Sequence, residues 1–317
     1  MIGPPLYVYR LCPNGYAGHV GLKGSPRAAT LCPVSQAHTQ KSVIARKRAL
    51  VIGVAAAVVL LVLVAVWALS GSGDKPAGRP AASAGDGAVP APPVPPGLAT
   101  VSYTEFQSGW PADPTPTKID GITEGVHPLK TVAIYDAVGG KARTMAGPQI
   151  ASGVDLVMPV VDTKQGWVAV IVPSANRSIG WIPDRDLEHR PLHDHLVVER
   201  KAHRLTWYRD GKPQKSWEVT LGTSVSPTPL GRSYVLGRSK LVGHVYAGVD
   251  VLALSSVPDD PTSVPTGLRG AHTGIHTWYH DRNLGKDVSD GCIRLTKSGQ
   301  LLLLREIEPG TPVTVLP

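Results

Sequence analysis

Gly274-Ile275-His276-Thr277-Trp278 is followed after a short interval by Ser289-Asp290-Gly291-Cys292-Ile293-Arg294-Leu295. Cys292 is the only cysteine downstream of a long apolar segment at residues 49–69. A thiol with an ordinary pKa of about 8.5 is only partly ionised at neutral pH, so a nucleophilic cysteine needs a nearby base. His276 is the candidate base, with His272 and His280, four residues to either side, as competitors. Gly291 allows close approach of a substrate to the backbone. A buried, inert thiol is the competing interpretation, weakened if this part of the chain faces an oxidising compartment, where an unpaired thiol is a liability.

A second block precedes the first. Trp207-Tyr208-Arg209-Asp210-Gly211-Lys212 leads through Val219-Thr220-Leu221-Gly222-Thr223 to Pro227-Thr228-Pro229-Leu230-Gly231. Together, the two blocks resemble the L,D-transpeptidases with a YkuD-like catalytic domain, over roughly residues 193–317, and the arrangement is similar to that of membrane-anchored actinobacterial forms. The resemblance implies a thioester acyl-enzyme on Cys292, with peptidoglycan tetrapeptide stems as substrate, D-alanine released and 3-3 cross-links formed. It also implies sensitivity to carbapenem-type inhibitors and no cofactor or metal. Two residues depart from the family pattern: Thr277 stands where Gly often follows the histidine, and Asp290 where His often occurs. Ser289, Asp290 and Gly291 are assigned to the nucleophile loop, with the Gly291 and Cys292 amides as an oxyanion hole. Arg294 and Thr277 are assigned to substrate binding, Arg294 through a bidentate grip on a carboxylate, with a loop-steadying ion pair as its alternative. A carbonyl such as that of Thr277 can orient the His276 ring. Asp290, beside the thiol, is expected to face solvent, because its charge raises the thiol pKa. An L,D-carboxypeptidase using water as acceptor and a non-catalytic wall-binding protein are the alternative functions.

The uncharged run from Ala49 to Leu69 would extend about 31 Å as a helix, enough to cross a hydrocarbon core. Residues 1–48 hold Arg10, Lys23, Arg27, Lys41, Arg46, Lys47 and Arg48 without one acidic residue. Positive charge stays inside, so a disordered basic tail is expected in the cytoplasm and residues 70–317 on the wall side. The formal net charge of +8 is thus concentrated before the span, which argues against a nucleic-acid partner. Cys12 and Cys32 lack the close spacing of a metal knuckle.

Residues 70–124 read as a Pro/Ala/Gly-rich linker and lead-in. From 125 to 190, short β-type runs alternate with turns, among them Trp167-Val168-Ala169-Val170-Ile171-Val172 and Ser178-Ile179-Gly180-Trp181-Ile182. They resemble a bacterial SH3-like module whose Trp167 and Trp181 fill its core, with wall binding through these tryptophans as the competing reading. The catalytic region reads as mostly β, with a hairpin at Asp210-Gly211 and one helix at 296–306 capped by Thr296, with Leu301, Leu302 and Leu304 as its apolar face. Residues 243–270, bearing Pro258, Pro261 and Pro265, are expected to form a lid. A tethered monomer is expected.

Overall fold

The computed structural model describes residues 87–240 and 246–317. The basic tail 1–48, the apolar segment 49–69 and the first part of the Pro-rich stretch lie outside the described residues. No helix among the described residues is long and apolar enough to cross a membrane.

Seven strands build the first sheet: β1 Glu124–Pro128, β2 Val132–Tyr135, β3 Ala142–Ala146, β4 Met158–Lys164, β5 Trp167–Ile171, β6 Ile179–Pro183 and β7 Leu187–Pro191. Their order is β3-β2-β6-β5-β4-β1-β7. The central strand β5, WVAVI, is buried throughout, which explains its run of apolar, mostly β-branched residues. Gln165 and Gly166, at φ 51° and 78°, form the tight connection from β4 to β5, a pair of positive φ angles that matches strand twist. Trp167 is 1% exposed. Its indole Nε1 donates to Val89 O at 2.7 Å, and its ring meets Tyr135 edge-on at 5.0 Å. Trp167 is therefore core, whereas Trp181 is half-buried. The end of the Pro-rich stretch lies against this sheet: Tyr135 Oη donates to Pro92 O and Val89 N to Gln165 O.

The second sheet comprises β8 Asp194–Glu199, β9 Arg204–Arg209, β10 Lys212–Glu218, β12 Gly231–Ser239, β13 Val251–Leu254, β14 Gly274–His276, β16 Ile293–Arg294 and β17 Pro312–Leu316. Their order is β10-β9-β8-β17-β12-β13-β14-β16, and a separate parallel pair joins β11 Leu221–Gly222 to β15 Asp287–Ser289. Asp210 and Gly211, at φ 50° and 72°, close the β9–β10 hairpin where the sequence predicts it.

β12 is covered on both faces, and the alternation of side chains shows why. Val235 belongs to the core of the second sheet, while Tyr234 and Leu236 belong to that of the first. Nearby, Arg232 of β12 and Asp113 of the lead-in form a bidentate ion pair with side chains only 3% and 2% exposed. Removing one partner of such a pair strands a buried charge at a cost of about 3–5 kcal/mol.

Helix α1, Lys297–Glu306, starts as expected: Thr296 Oγ1 accepts from Gly299 N. Its apolar face differs from expectation. Leu301 is 50% exposed, and Gly299, Gln300, Leu303 and Leu304 point inward, as the 3.6-residue period requires once Leu303 faces the core. Gln300 Nε2 donates to Ile275 O at 2.9 Å, stitching the helix to β14. The expected lid at 243–270 is also corrected. Its residues Val251–Leu254 form a fully buried strand, a continuous apolar run sandwiched within the sheet; the segment between β13 and β14 remains as the loop.

Candidate active site

The pairing of β14 with β16 sets the geometry. These strands run parallel with Ile275 opposite Ile293 and His276 opposite Arg294, so Gly274 falls beside Cys292. Side chains alternate between faces. Ile275 and Ile293 point into the core, both fully buried, and Cys292, His276 and Arg294 share the other face. At a strand separation of about 4.8 Å and a rise of about 3.3 Å per residue, these three side chains are neighbours.

His276 is 4% exposed, and its Nδ1 lies 2.6 Å from Thr277 O. The ring is flanked by Tyr246, edge-on at 5.2 Å, and by Trp278 at 6.1 Å. Burial, reinforced by the charge of Arg294, lowers its pKa to about 4, so the imidazole is neutral at pH 7. Cys292 is partly exposed and free. Crowding by protein atoms pushes its thiol above the ordinary value; the Gly274 amide and Arg294 oppose this, and the Asp290 charge adds to it. The resting pair is thus thiol and neutral imidazole.

The turn carrying Cys292 is held from inside. Ser289 is fully buried and its hydroxyl donates to Cys292 O at 2.6 Å, bridging the turn. Gly291 has φ 100°, a conformation open to glycine and strained for other residues. Asp290 is exposed, facing solvent as expected. The front-half motif supports this turn: Thr223 N donates to Ser289 O, Gly222 N to Thr228 Oγ1 at 3.0 Å, and Pro227 O would lie 3.5 Å from a Cβ at Gly291. Thr220 and Arg294 exchange two backbone hydrogen bonds.

The guanidinium of Arg294 stacks on Trp278, 3.7 Å from the ring centroid, and its buried Nε has no hydrogen-bond partner. No ion pair to a carboxylate is formed by Arg294 among the described residues. The loop-steadying alternative for this residue has no carboxylate in close contact; the Asp290 charge acts on the guanidinium only from a longer distance. Thr277 differs from its assignment to substrate binding: it is fully buried, and its hydroxyl donates to Tyr246 O at 2.6 Å. It orients His276 through its carbonyl and anchors Tyr246 through its hydroxyl. Among the competing histidines, His272 Nδ1 lies 3.2 Å from Tyr103 O and the His280 ring packs on Tyr279 at 4.3 Å; neither is in the β14–β16 register. Sequence reasoning missed Tyr246 and Trp278. Trp278 carried a signal, lying two residues after His276, whereas Tyr246 is brought in only by the fold.

Residues 193–315 match the family described as the L,D-transpeptidase catalytic domain, YkuD. The chain is 28% identical over 121 residues to the YkuD protein of Bacillus subtilis strain 168, covering 38% of this chain and 65% of that one. A YkuD protein of Bacillus licheniformis is 26% identical over 122 residues, with the same coverage. The chain thus spans just under two thirds of the length of these curated relatives. Among solved structures, the catalytic domain of the E. faecium L,D-transpeptidase aligns with 26% identity and a TM-score of 0.28, covering 39% of this chain and 96% of that one. An L,D-transpeptidase from Mycobacterium smegmatis aligns with 15% identity and a TM-score of 0.34, covering 51% and 89%. The matched span coincides with the second sheet and its Cys292–His276 register, and over residues 193–315 this chain is similar to the YkuD L,D-transpeptidase catalytic domain.

Proposed function

We propose that the chain is a cysteine-dependent L,D-transpeptidase acting on peptidoglycan tetrapeptide stems. The observation that carries this reading is the register placing Cys292 and His276 on one face of two adjacent strands, with His276 Nδ1 engaged by Thr277 O. His276 Nε2 takes the thiol proton as sulfur attacks the carbonyl ahead of the terminal D-alanine. The amide C–N bond breaks, the proton passes to the departing amine, and a thioester remains. An acceptor amine then attacks the thioester, gives its proton to His276, and the thiol is restored. The Gly291 and Cys292 amides serve the oxyanion, and Arg294 receives a stem carboxylate. A diaminopimelate side chain as acceptor gives a 3-3 cross-link.

Residues 49–69 act as an anchor in this reading, with the described domains on the wall side, and the seven-stranded domain is SH3-like. The test is a mass spectrum of the full chain incubated with a disaccharide-tetrapeptide. A cross-linked dimer lacking one D-alanine supports transpeptidation, whereas tripeptide alone supports the carboxypeptidase. Cys292→Ala should abolish both and should also abolish the covalent adduct expected with a carbapenem, with little loss of stability. Turnover retained by Cys292→Ala excludes this chemistry.

A further inference from the structure

The loop joining β13 to β14 rises beside the nucleophile. Its base is closed by Leu254 N donating to Thr273 O and Thr273 N to Ser256 O. The next residue, Gly274, lies opposite Cys292 in the β14–β16 register. Whatever fixes residues 257–272 therefore shapes one wall of the site. The catalytic sheet does not do this alone.

Contacts from the first domain and from the lead-in before it reach both flanks of the loop. On the outgoing flank, Ser174 N donates to Ser255 O at 2.7 Å. Asn176 grips the Val257 backbone from both sides, Nδ2 donating to its carbonyl at 2.6 Å and Oδ1 accepting from its amide at 3.2 Å. Asn176 Nδ2 also reaches Asp259 Oδ1. Arg177 then binds both oxygens of Asp259, at 2.8 and 3.1 Å, and donates to Leu230 O. On the returning flank, His272 lies against Tyr103 O.

Two features mark Arg177 as placed for its side chain. Its φ is 56°, a left-handed turn position that glycine or asparagine fills with less strain. Opposite it, Gly231 of the catalytic domain has φ 102°, and a Cβ there would come within 2.7 Å of Arg177 Cγ. The final glycine of the Pro227–Gly231 motif thus leaves the space through which the arginine reaches the loop.

We propose that Asn176 and Arg177 are positioning residues of the transpeptidase site: through Val257 and Asp259 they set the β13–β14 loop, so that the seven-stranded domain determines how stem peptides are admitted to Cys292. The functional half of this proposal rests on the transpeptidase reading; the clamp itself does not.

The test uses the full chain with Arg177→Ala, Asp259→Ala, Arg177→Lys and the exchanged pair Arg177→Asp with Asp259→Arg. Hydrogen exchange over 257–272 and the rate of Cys292 alkylation by iodoacetamide are read alongside the KM for a tetrapeptide stem and the thermal midpoint. Both alanine variants are expected to speed exchange in the loop and raise KM about threefold or more, with kcat and midpoint little changed; the lysine or the exchanged pair should recover part of the loss. Unchanged loop exchange overturns the clamp. Faster exchange with unchanged KM and unchanged thiol alkylation overturns the positioning role. If the wild-type chain fails to process stem peptides, the transpeptidase reading fails separately, and the proposal is still decided: unchanged loop exchange overturns the clamp, faster exchange with unchanged alkylation overturns the positioning of Cys292, and faster exchange with altered alkylation supports both.

Discussion

The 2.6 Å contact from His276 Nδ1 to Thr277 O decides which nitrogen of the ring is left open as an acceptor. A carbonyl oxygen only accepts, so Nδ1 carries the hydrogen and Nε2 holds a free lone pair in the neutral ring. A carboxylate is not needed to fix the tautomer. Fixing a base in this way constrains its orientation without adding negative charge, consistent with a histidine kept neutral down to low pH.

The pH dependence follows from that arrangement. With the His276 pKa lowered to about 4 by burial and Arg294, the base becomes protonated only in strong acid. The acid limb of kcat/KM is therefore expected near pH 4 instead of near 6.5, and the rate should not fall between pH 7 and 6. His276→Gln should remove this limb and reduce Cys292 alkylation at neutral pH, while His272→Gln and His280→Gln should leave the profile in place. An acid limb near 6.5 in the wild type would show that the imidazole is not held neutral.

Asp290 provides a test of opposite sign. Its carboxylate is exposed and raises the Cys292 pKa, so Asp290→Asn should lower that pKa and increase alkylation at pH 7. An exposed charge acts through screened solvent, and the increase should be about twofold at low salt and vanish as salt is added. Alkylation that slows in Asp290→Asn would assign the carboxylate a direct role in activating the thiol.

Acid should weaken the fold well before the carboxylates titrate. His195 and His276 have pKa values lowered to about 4, chiefly by burial. The unfolded chain takes up protons near 6.5 that the folded chain refuses until about 4, so stability present above pH 6.5 is lost as pH falls through that window. Each histidine is worth up to about 3 kcal/mol. His189 opposes the trend: burial alone would lower its pKa, but Glu124 and Asp184 outweigh it, so its contribution is present in acid and lost as pH rises through its raised pKa. Denaturation midpoints measured from pH 7 to 4.5 should fall, and less steeply in His195→Gln. Midpoints that stay level across this range would contradict the burial of these rings.

What could be read from the sequence was what local chemistry dictates. The strand Trp167–Ile171, the Asp210-Gly211 hairpin, the Thr296 cap and the Cys292–His276 pair each carry their signal within a few residues. The strands Glu124–Pro128 and Leu187–Pro191 were missed because each is polar or interrupted and is stabilised by the other across a long sequence separation. Val251–Leu254 was hidden among prolines that belong to the loop after it. Tyr246 and the Asp113–Arg232 pair are tertiary relationships with no local pattern. Thr277 was placed among the substrate contacts because its position next to the base was visible, but the direction of its hydroxyl was not.

Arg294 offers the sharpest test of substrate recognition. Its guanidinium is stacked on Trp278, half-buried, with Nε lacking a partner, and desolvation disfavours its charged form. A stem carboxylate arriving beside it would satisfy the orphaned donor and neutralise the charge, two gains that an amidated stem supplies only in part. Arg294→Lys retains the charge but loses the planar stack and the fork. KM is therefore expected to rise about tenfold or more for a stem with a free carboxylate and much less for its amide, while Trp278 fluorescence should respond to carboxylate stems in the wild type and not in Arg294→Lys. Equal losses for both stems, with iodoacetamide alkylation of Cys292 slowed in parallel, would instead assign Arg294 to the electrostatics of the thiol, which its lowering effect on the Cys292 pKa already supplies.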